Sequence, residues 1–305
     1  MEKNRNSFTS NSSMKIFLIR VSIFVLLGLS AYSLFSLVVL PKILVAAFGI
    51  SVKDQIDKAF TNALKQDYEI LILGNSKIYC GINPDKFDRP AYNLAHNNDT
   101  YNQMYYKLKY LIDAKKKIRY LIVGTDYFQF GFVSDTRNYA YAKWLGPDYL
   151  RDYKNSNYQL KESIQFLKPH RLRRLLRYPY EKNSLKDNGQ FVRLGEASED
   201  DFQRRHFKFD SLQVHYFERL LDLANQEGIK VYIVMPPMRM VELSQYTEEQ
   251  VDEFDKFMNR HLSDSIKYLD FSIRHPFADQ NFIDMAHLSQ EAADEFSMAI
   301  DKELN

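Results

Sequence analysis

The chain is nearly devoid of cysteine: Cys80 is its only one in 305 residues. An internal disulfide is thereby excluded, and so is any metal centre built on several thiolates. Net charge is close to absent as well, at +2 with histidine neutral. There are no arginine–glycine tracts, no zinc-finger spacing and no basic tail, so nothing marks the chain as a nucleic-acid binder. His170, His206, His215 and His261 show no His-x-x-x-His spacing, so no metal is called for, and no cofactor is either.

An apolar fraction of 45% supports a sizeable core and argues against wholesale disorder. The length suits one large domain or two small ones. The 21 tyrosines and 22 phenylalanines fit a large core with a tyrosine-rich surface, and they also fit a saccharide-handling protein.

Residues 21–40, VSIFVLLGLSAYSLFSLVVL, contain no charge, and twenty such residues span the hydrocarbon core of a bilayer as a helix. Lys3, Arg5, Lys15 and Arg20 precede the run, and only Lys42 follows closely. The positive-inside bias then puts residues 1–20 in the cytoplasm, with the rest of the chain periplasmic or at the cell surface, on a single-pass membrane anchor. A cleaved signal peptide is the competing reading, but its apolar core runs to only ~7–15 residues. Residues 41–67 follow as a juxtamembrane spacer, part of it with helical periodicity.

From residue 68 the pattern changes. Short apolar runs at 69–74, 91–95, 119–124, 230–235 and 267–272 read as strands, and two of them end in glycine. Helical stretches at 100–114, 211–227, 247–264 and 290–303 alternate with them. The fold class expected is α/β: a three-layer, flavodoxin-like sandwich on a parallel five-stranded sheet. Ligands in such folds sit outside the carboxyl ends of the strands. Residues 127–210 break the rhythm and read as an insertion at the rim of the sheet. Within it Leu172, Leu175 and Leu176 can share one helix face, with Arg173, Arg174 and Arg177 on another. That face is either solvated or a contact for anionic headgroups or glycans.

Two segments carry chemistry. In ILGNSKIYC, residues 72–80, Ser76 follows a strand and opens a helix. A serine there has its hydroxyl in the crevice and its N–H at a helix N-terminus, able to stabilise an oxyanion. The same position also suits a plain N-cap. In FIDMAHLSQ, residues 282–290, Asp284 and His287 precede the last helix on one loop. The carboxylate can fix the imidazole tautomer while the other ring nitrogen takes a proton from serine. Both segments fall at carboxyl ends of the predicted sheet.

Together they resemble the SGNH (GDSL-like) esterases and acyltransferases. That family carries its serine in a Gly-Asp-Ser block after the first strand and an Asp-x-x-His block before the last helix. Here the blocks read Gly74-Asn75-Ser76 and Asp284-Met285-Ala286-His287. The resemblance spans roughly residues 68–126 and 211–303. It implies a catalytic triad of Ser76, Asp284 and His287. The family's second-block glycine is missing from the AHNNDT loop, and its third-block asparagine is missing after Gly124. Candidates for the oxyanion hole are therefore Ser76, Asn97, Asn98 and Thr125, and His96 and Asp126 are candidates for substrate binding. With a membrane anchor, the resemblance narrows to bacterial proteins that O-acylate surface polymers, such as the alginate acetylation proteins and the teichoic-acid D-alanylation partner. It implies a multi-span membrane acyltransferase as partner and a surface glycan as acyl acceptor, most simply for O-acetylation. Two alternatives stay open: an esterase that deacylates a glycan or lipid, and a non-catalytic assembly protein with a degenerate site.

Overall fold

The computed structural model describes residues 9–40, 42–43, 52–134, 137–151, 184–195, 206–272 and 277–304. The basic run around Arg173 lies outside these residues. The chain divides into two compact units, and the second, Val52–Ser156 with Glu181–Asn305, contains the sheet.

The N-terminal helix α1, Thr9–Leu34, is continued by a π-helical turn at Phe35–Val39. The stretch long and apolar enough to be a membrane anchor or a signal sequence is Ser13–Val39. It begins before the expected residue 21 and includes Lys15 and Arg20, because lysine and arginine are good helix formers and do not stop a helix.

Helix α2, Val52–Lys65, corrects the reading of 41–67 as a spacer. Its Ile56, Ala59, Phe60 and Ala63 share one face and are buried in the core. The folded domain therefore includes this helix. Strand β1, Ile70–Leu73, leads to the short helix α3, Ser76–Gly81. Then come β2, Ala91–Asn93, α4, Tyr101–Asp113, and β3, Tyr120–Gly124. Within the expected insertion lie α5, Asn138–Leu150, and a small hairpin of β4, Ser184–Leu185, with β5, Phe191–Val192. Helix α6, Ser211–Gln226, precedes β6, Lys230–Met235. The chain finishes with α7, Met240–Leu243, α8, Glu248–Asn259, β7, Ile266–Asp270, and α9, Gln290–Leu304.

The five long-range strands are all parallel, in the order β2-β1-β3-β6-β7. That is the flavodoxin-like order, whose switch point lies between β1 and β3. The strands read as unbroken apolar runs because both faces are covered. Leu71, Leu73, Leu121 and Val123 face one core, shared with α2, α4, α6 and α8. Ile70, Ile72, Ile122 and Val234 face the other, shared with α3 and α9.

Glycines at two strand ends set the position of α3. A Cβ on Gly74 would lie 2.6 Å from Ile78 Cβ, and one on Gly124 would lie 2.1 Å from Ile78 Cγ1. Ile78 therefore rests on bare backbone at the switch point, and α3 is seated flat on the sheet. From behind, α9 clasps the chain that follows α3. Ser297 Oγ accepts from Asn83 N at 2.8 Å, and Asp294 Oδ1 accepts from Asn83 Nδ2 at 2.7 Å.

Candidate active site

Ser76 is the first residue of α3, and the cap is Asn75, whose side-chain oxygen accepts from Lys77 N at 2.9 Å. The N-cap role considered for Ser76 thus belongs to its neighbour. The Asn75 amide in turn donates to Gln129 Oε1 at 2.7 Å, and Gln129 donates to Asp99 O at 2.7 Å. This chain of amides ties the turn before the serine to the ends of β2 and β3. In the first turn of a helix the N–H groups lack intrahelical acceptors, so the Ser76 N–H is available to an anion.

Lys77 is buried and lies 2.7 Å from Asp126 Oδ2 and 2.9 Å from Glu242 Oε1. One ammonium group thus joins the segments that follow β1, β3 and β6. Asp126, offered above as a substrate contact, is fully buried in this cluster, where it holds α3 rather than facing the crevice. Cys80, one turn after the serine, is a buried free thiol whose pKa burial pushes up to about 12. It packs as a small core residue.

Asp284 and His287 form a tight pair. Imidazole Nδ1 lies 2.8 and 2.7 Å from the two carboxylate oxygens, and the N–H groups of Ala286 and His287 donate to Asp284 Oδ1 at 2.8 and 2.9 Å. A nitrogen facing two carboxylate oxygens must carry the proton, so Nε2 is the basic atom. Burial alone would raise the Asp284 pKa. The hydrogen bonds from His287 and the backbone outweigh it and hold the group well below the ordinary carboxylate value. Burial lowers the His287 pKa, Asp284 opposes that, and the Arg193 and Lys77 cations reinforce it. The imidazole is thus neutral near pH 7 and able to accept a proton. Among the described residues no hydrogen bond joins the Ser76 hydroxyl to His287. The serine is half-buried, and Leu288, next to the histidine, packs against Gly81 at the other end of α3.

The oxyanion candidates separate. Thr125 is removed from the set: its N–H extends the sheet to Val234 O at 2.9 Å, and its hydroxyl pairs with Tyr101 at 2.8 Å. Asn98 has φ 58° and is exposed, an αL residue that turns the loop. Asn97 is half-buried and close to the serine turn, since His96 N beside it donates to Gly74 O at 3.2 Å. His96, offered as a substrate contact, is buried with its ring 5.0 Å from that of Tyr79. Burial, helped by Arg137 and Lys107, puts its pKa well below the ordinary value. It is a packed, buried ring held neutral.

No family model matches the chain, and no curated protein does. Solved structures to which it is similar include a Streptococcus pneumonia protein described as a platelet activating factor, at 9% identity and TM-score 0.43, covering 82% of this chain and 91% of that one. A Bacteroides fragilis protein described as an acylhydrolase matches at 10% identity and TM-score 0.39, over 84% of this chain and 99% of its own. A GDSL-like lipase from Bacteroides thetaiotaomicron matches at 9% identity and TM-score 0.38, over 84% and 100%. Likeness at this level concerns the fold alone, and the chemistry rests on the residues above.

One site residue escaped the sequence reading altogether. Arg193, directly after β5, reaches Asn97, His287 and Asp284. Nothing local to Arg193 signals this. The only hint is the NGQFV stretch, residues 188–192, a turn signal followed by strand formers inside the insertion.

Proposed function

We propose that this chain is a serine-dependent acyl-transfer enzyme of the SGNH (GDSL-like) type, held at a membrane by its N-terminal helix. The observation that carries the reading is the Asp284–His287 pair with Nδ1 protonated, set at the carboxyl end of the sheet beside a helix that opens on Ser76. In this mechanism His287 Nε2 takes the Ser76 proton as Oγ attacks an acyl carbonyl. The oxyanion collects on the Ser76 N–H and the Asn97 amide, and His287 returns the proton to the departing alcohol. The resulting acyl-Ser76 is then resolved by a second hydroxyl.

With the helix as anchor and the domain outside the cytoplasm, that hydroxyl belongs to a surface polysaccharide, and the reaction is its O-acylation, with acetyl the simplest group. A multi-span membrane acyltransferase would supply the acyl group. If water resolves the intermediate instead, the same site is a glycan or lipid esterase.

The test is mass spectrometry of the full chain after incubation with p-nitrophenyl acetate. An acetyl adduct on the peptide holding Ser76, absent from Ser76→Ala, is the expected result. A normally folded protein with no adduct would leave the assembly-protein reading standing. Polymer acylation in cells carrying Ser76→Ala then separates transfer from hydrolysis: loss of acyl groups indicates the first, gain the second.

A further inference from the structure

The β4–β5 hairpin is pinned to the serine side of the domain from several directions. Asn93 N donates to Asn188 O at 3.0 Å, Gln190 Nε2 donates to Cys80 O at 3.1 Å, and Phe191 stacks on Tyr79 with ring centroids 5.1 Å apart. Gly189 has φ 91°, and a Cβ there would lie 1.9 Å from Asn93 O, so the turn presses directly on the end of β2. This mounting fixes where Arg193 goes.

Arg193 Nη2 donates to Asn97 Oδ1 at 3.0 Å. With its oxygen held by the guanidinium, the Asn97 amide must turn its NH2 group the other way, and the loop that carries it is bonded to the serine turn through Gly74. Arg193 Nη1 lies 3.2 Å from His287 Nδ1 and 3.5 Å from Nε2. A donor nearly equidistant from two nitrogens of one ring sits over the ring face, since an in-plane position would collide with the carbon between them. The in-plane lone pair of Nε2 therefore stays open for the serine proton. Arg193 Nη1 is also 3.7 Å from Asp284 Oδ2. One planar cation thus touches the base, its carboxylate and the amide beside the serine, which a flexible point charge would not do as well.

We propose that Arg193 is the positioning residue of this site: it locks the Asn97 side-chain amide as the second oxyanion donor, beside the Ser76 N–H, and braces the His287 ring from its face. The proposal rests on the acyl-transfer reading. It supplies what the missing glycine and asparagine leave out, and it gives part of the insertion its role. The charged groups facing His287 are Asp284 on its own loop, Lys77 on α3 and Arg193 after β5, so removing Arg193 removes one of two cations that oppose protonation of the ring.

The experiment uses the full chain in detergent with p-nitrophenyl acetate, comparing wild type with Arg193→Ala, Arg193→Lys, Asn97→Ala and the Arg193→Ala/Asn97→Ala double variant. Loss of one oxyanion donor costs about 10²–10³ in rate. Arg193→Ala and Asn97→Ala should each lower kcat by about that factor with KM little changed, and the double variant should be no worse than Arg193→Ala alone. Arg193→Lys should fail to restore kcat. The acid limb of the rate profile should move to higher pH in Arg193→Ala and stay in place in Asn97→Ala. Multiplying effects in the double variant, full rescue by lysine, or an unmoved acid limb in Arg193→Ala would each overturn the proposal. Should wild type release no p-nitrophenol, the acyl-transfer reading fails by itself, and the lock is then read from the 15N spectrum. The Asn97 side-chain amide signals should lie away from the positions of a free asparagine amide in wild type and move to them in Arg193→Ala. Identical signals in both proteins would sink it.

Discussion

The two halves of the candidate site are built in opposite ways. The acid–base half is local: Asp284 and His287 are three residues apart, and one carboxylate gathers the imidazole and two backbone N–H groups of the same turn. The proposed oxyanion half is assembled across the chain. Asn97 meets Arg193 from 96 positions away, and Arg193 meets His287 across 94. A local turn tolerates movement of the surrounding domain, whereas a contact spanning a hairpin, a loop and a helix holds only while all three stay seated. Damage at a distance should therefore fall on the oxyanion half and spare the acid–base pair.

The largest expected effect comes from breaking the proposed triad. Ser76→Ala and His287→Ala should each lower kcat by about 10⁶, with Asp284→Asn nearer 10⁴, since triad members act as one unit. Wild-type rate should fall as pH drops through the His287 pKa, and that acid limb should lie below the ordinary histidine value, because burial and two cations lower it. An acid limb above ~6.5, the unperturbed value, would contradict the burial argument.

Next in size is Lys77→Met. It strands the buried carboxylates of Asp126 and Glu242, a loss of about 3–5 kcal/mol by the usual measure of a broken buried pair. A denaturation midpoint close to that of wild type would show that the cluster does not hold α3 in place. Gly189→Ala comes third and aims at the comparison directly. By displacing the hairpin it should cost about 10² in kcat, the scale of an ångström-sized misplacement. The Asp284–His287 pair should keep its pH profile apart from the shift that losing Arg193 causes. A variant that loses this pair as well would show that the two halves are not separable. Smallest is Thr125→Val. It removes the hydrogen bond to Tyr101, worth about 1 kcal/mol, and should leave kcat unchanged. A rate loss on the 10² scale would return Thr125 to the oxyanion set.

The same contrast explains what was legible in the sequence. The parallel sheet could be read because each strand is a continuous apolar run, and strand and helix positions such as 230–235 coincide with those observed. The Asp284–His287 segment could be read because its geometry is contained in four residues. Position after a strand does not reveal whether an N–H continues the sheet, as that of Thr125 does, or leaves it. The burial of His96 and Asp126 is not legible because a polar residue beside a crevice looks the same in sequence whether it faces ligand or core. Helix α2 was taken for a spacer because its apolar face, Ile56 to Ala63, says that it packs but not against what. Arg193 could not be read at all: its role comes from the mounting of the hairpin and has no local period.

The clasp of α9 on the chain behind α3 has a consequence for the order in which this protein can become active. Asn83 is held by Ser297 across 214 positions and by Asp294 across 211, so the segment that seats the serine leaves the ribosome long before its support exists. Closing so long a loop is an entropic cost that only the complete domain offsets. Until the last helix docks, Ser76 sits on a loosely held turn, and His287 has not reached its place. The proposed reactivity is thus deferred to the end of folding. A chain cut short before residue 290 would carry Ser76 without the frame that seats it.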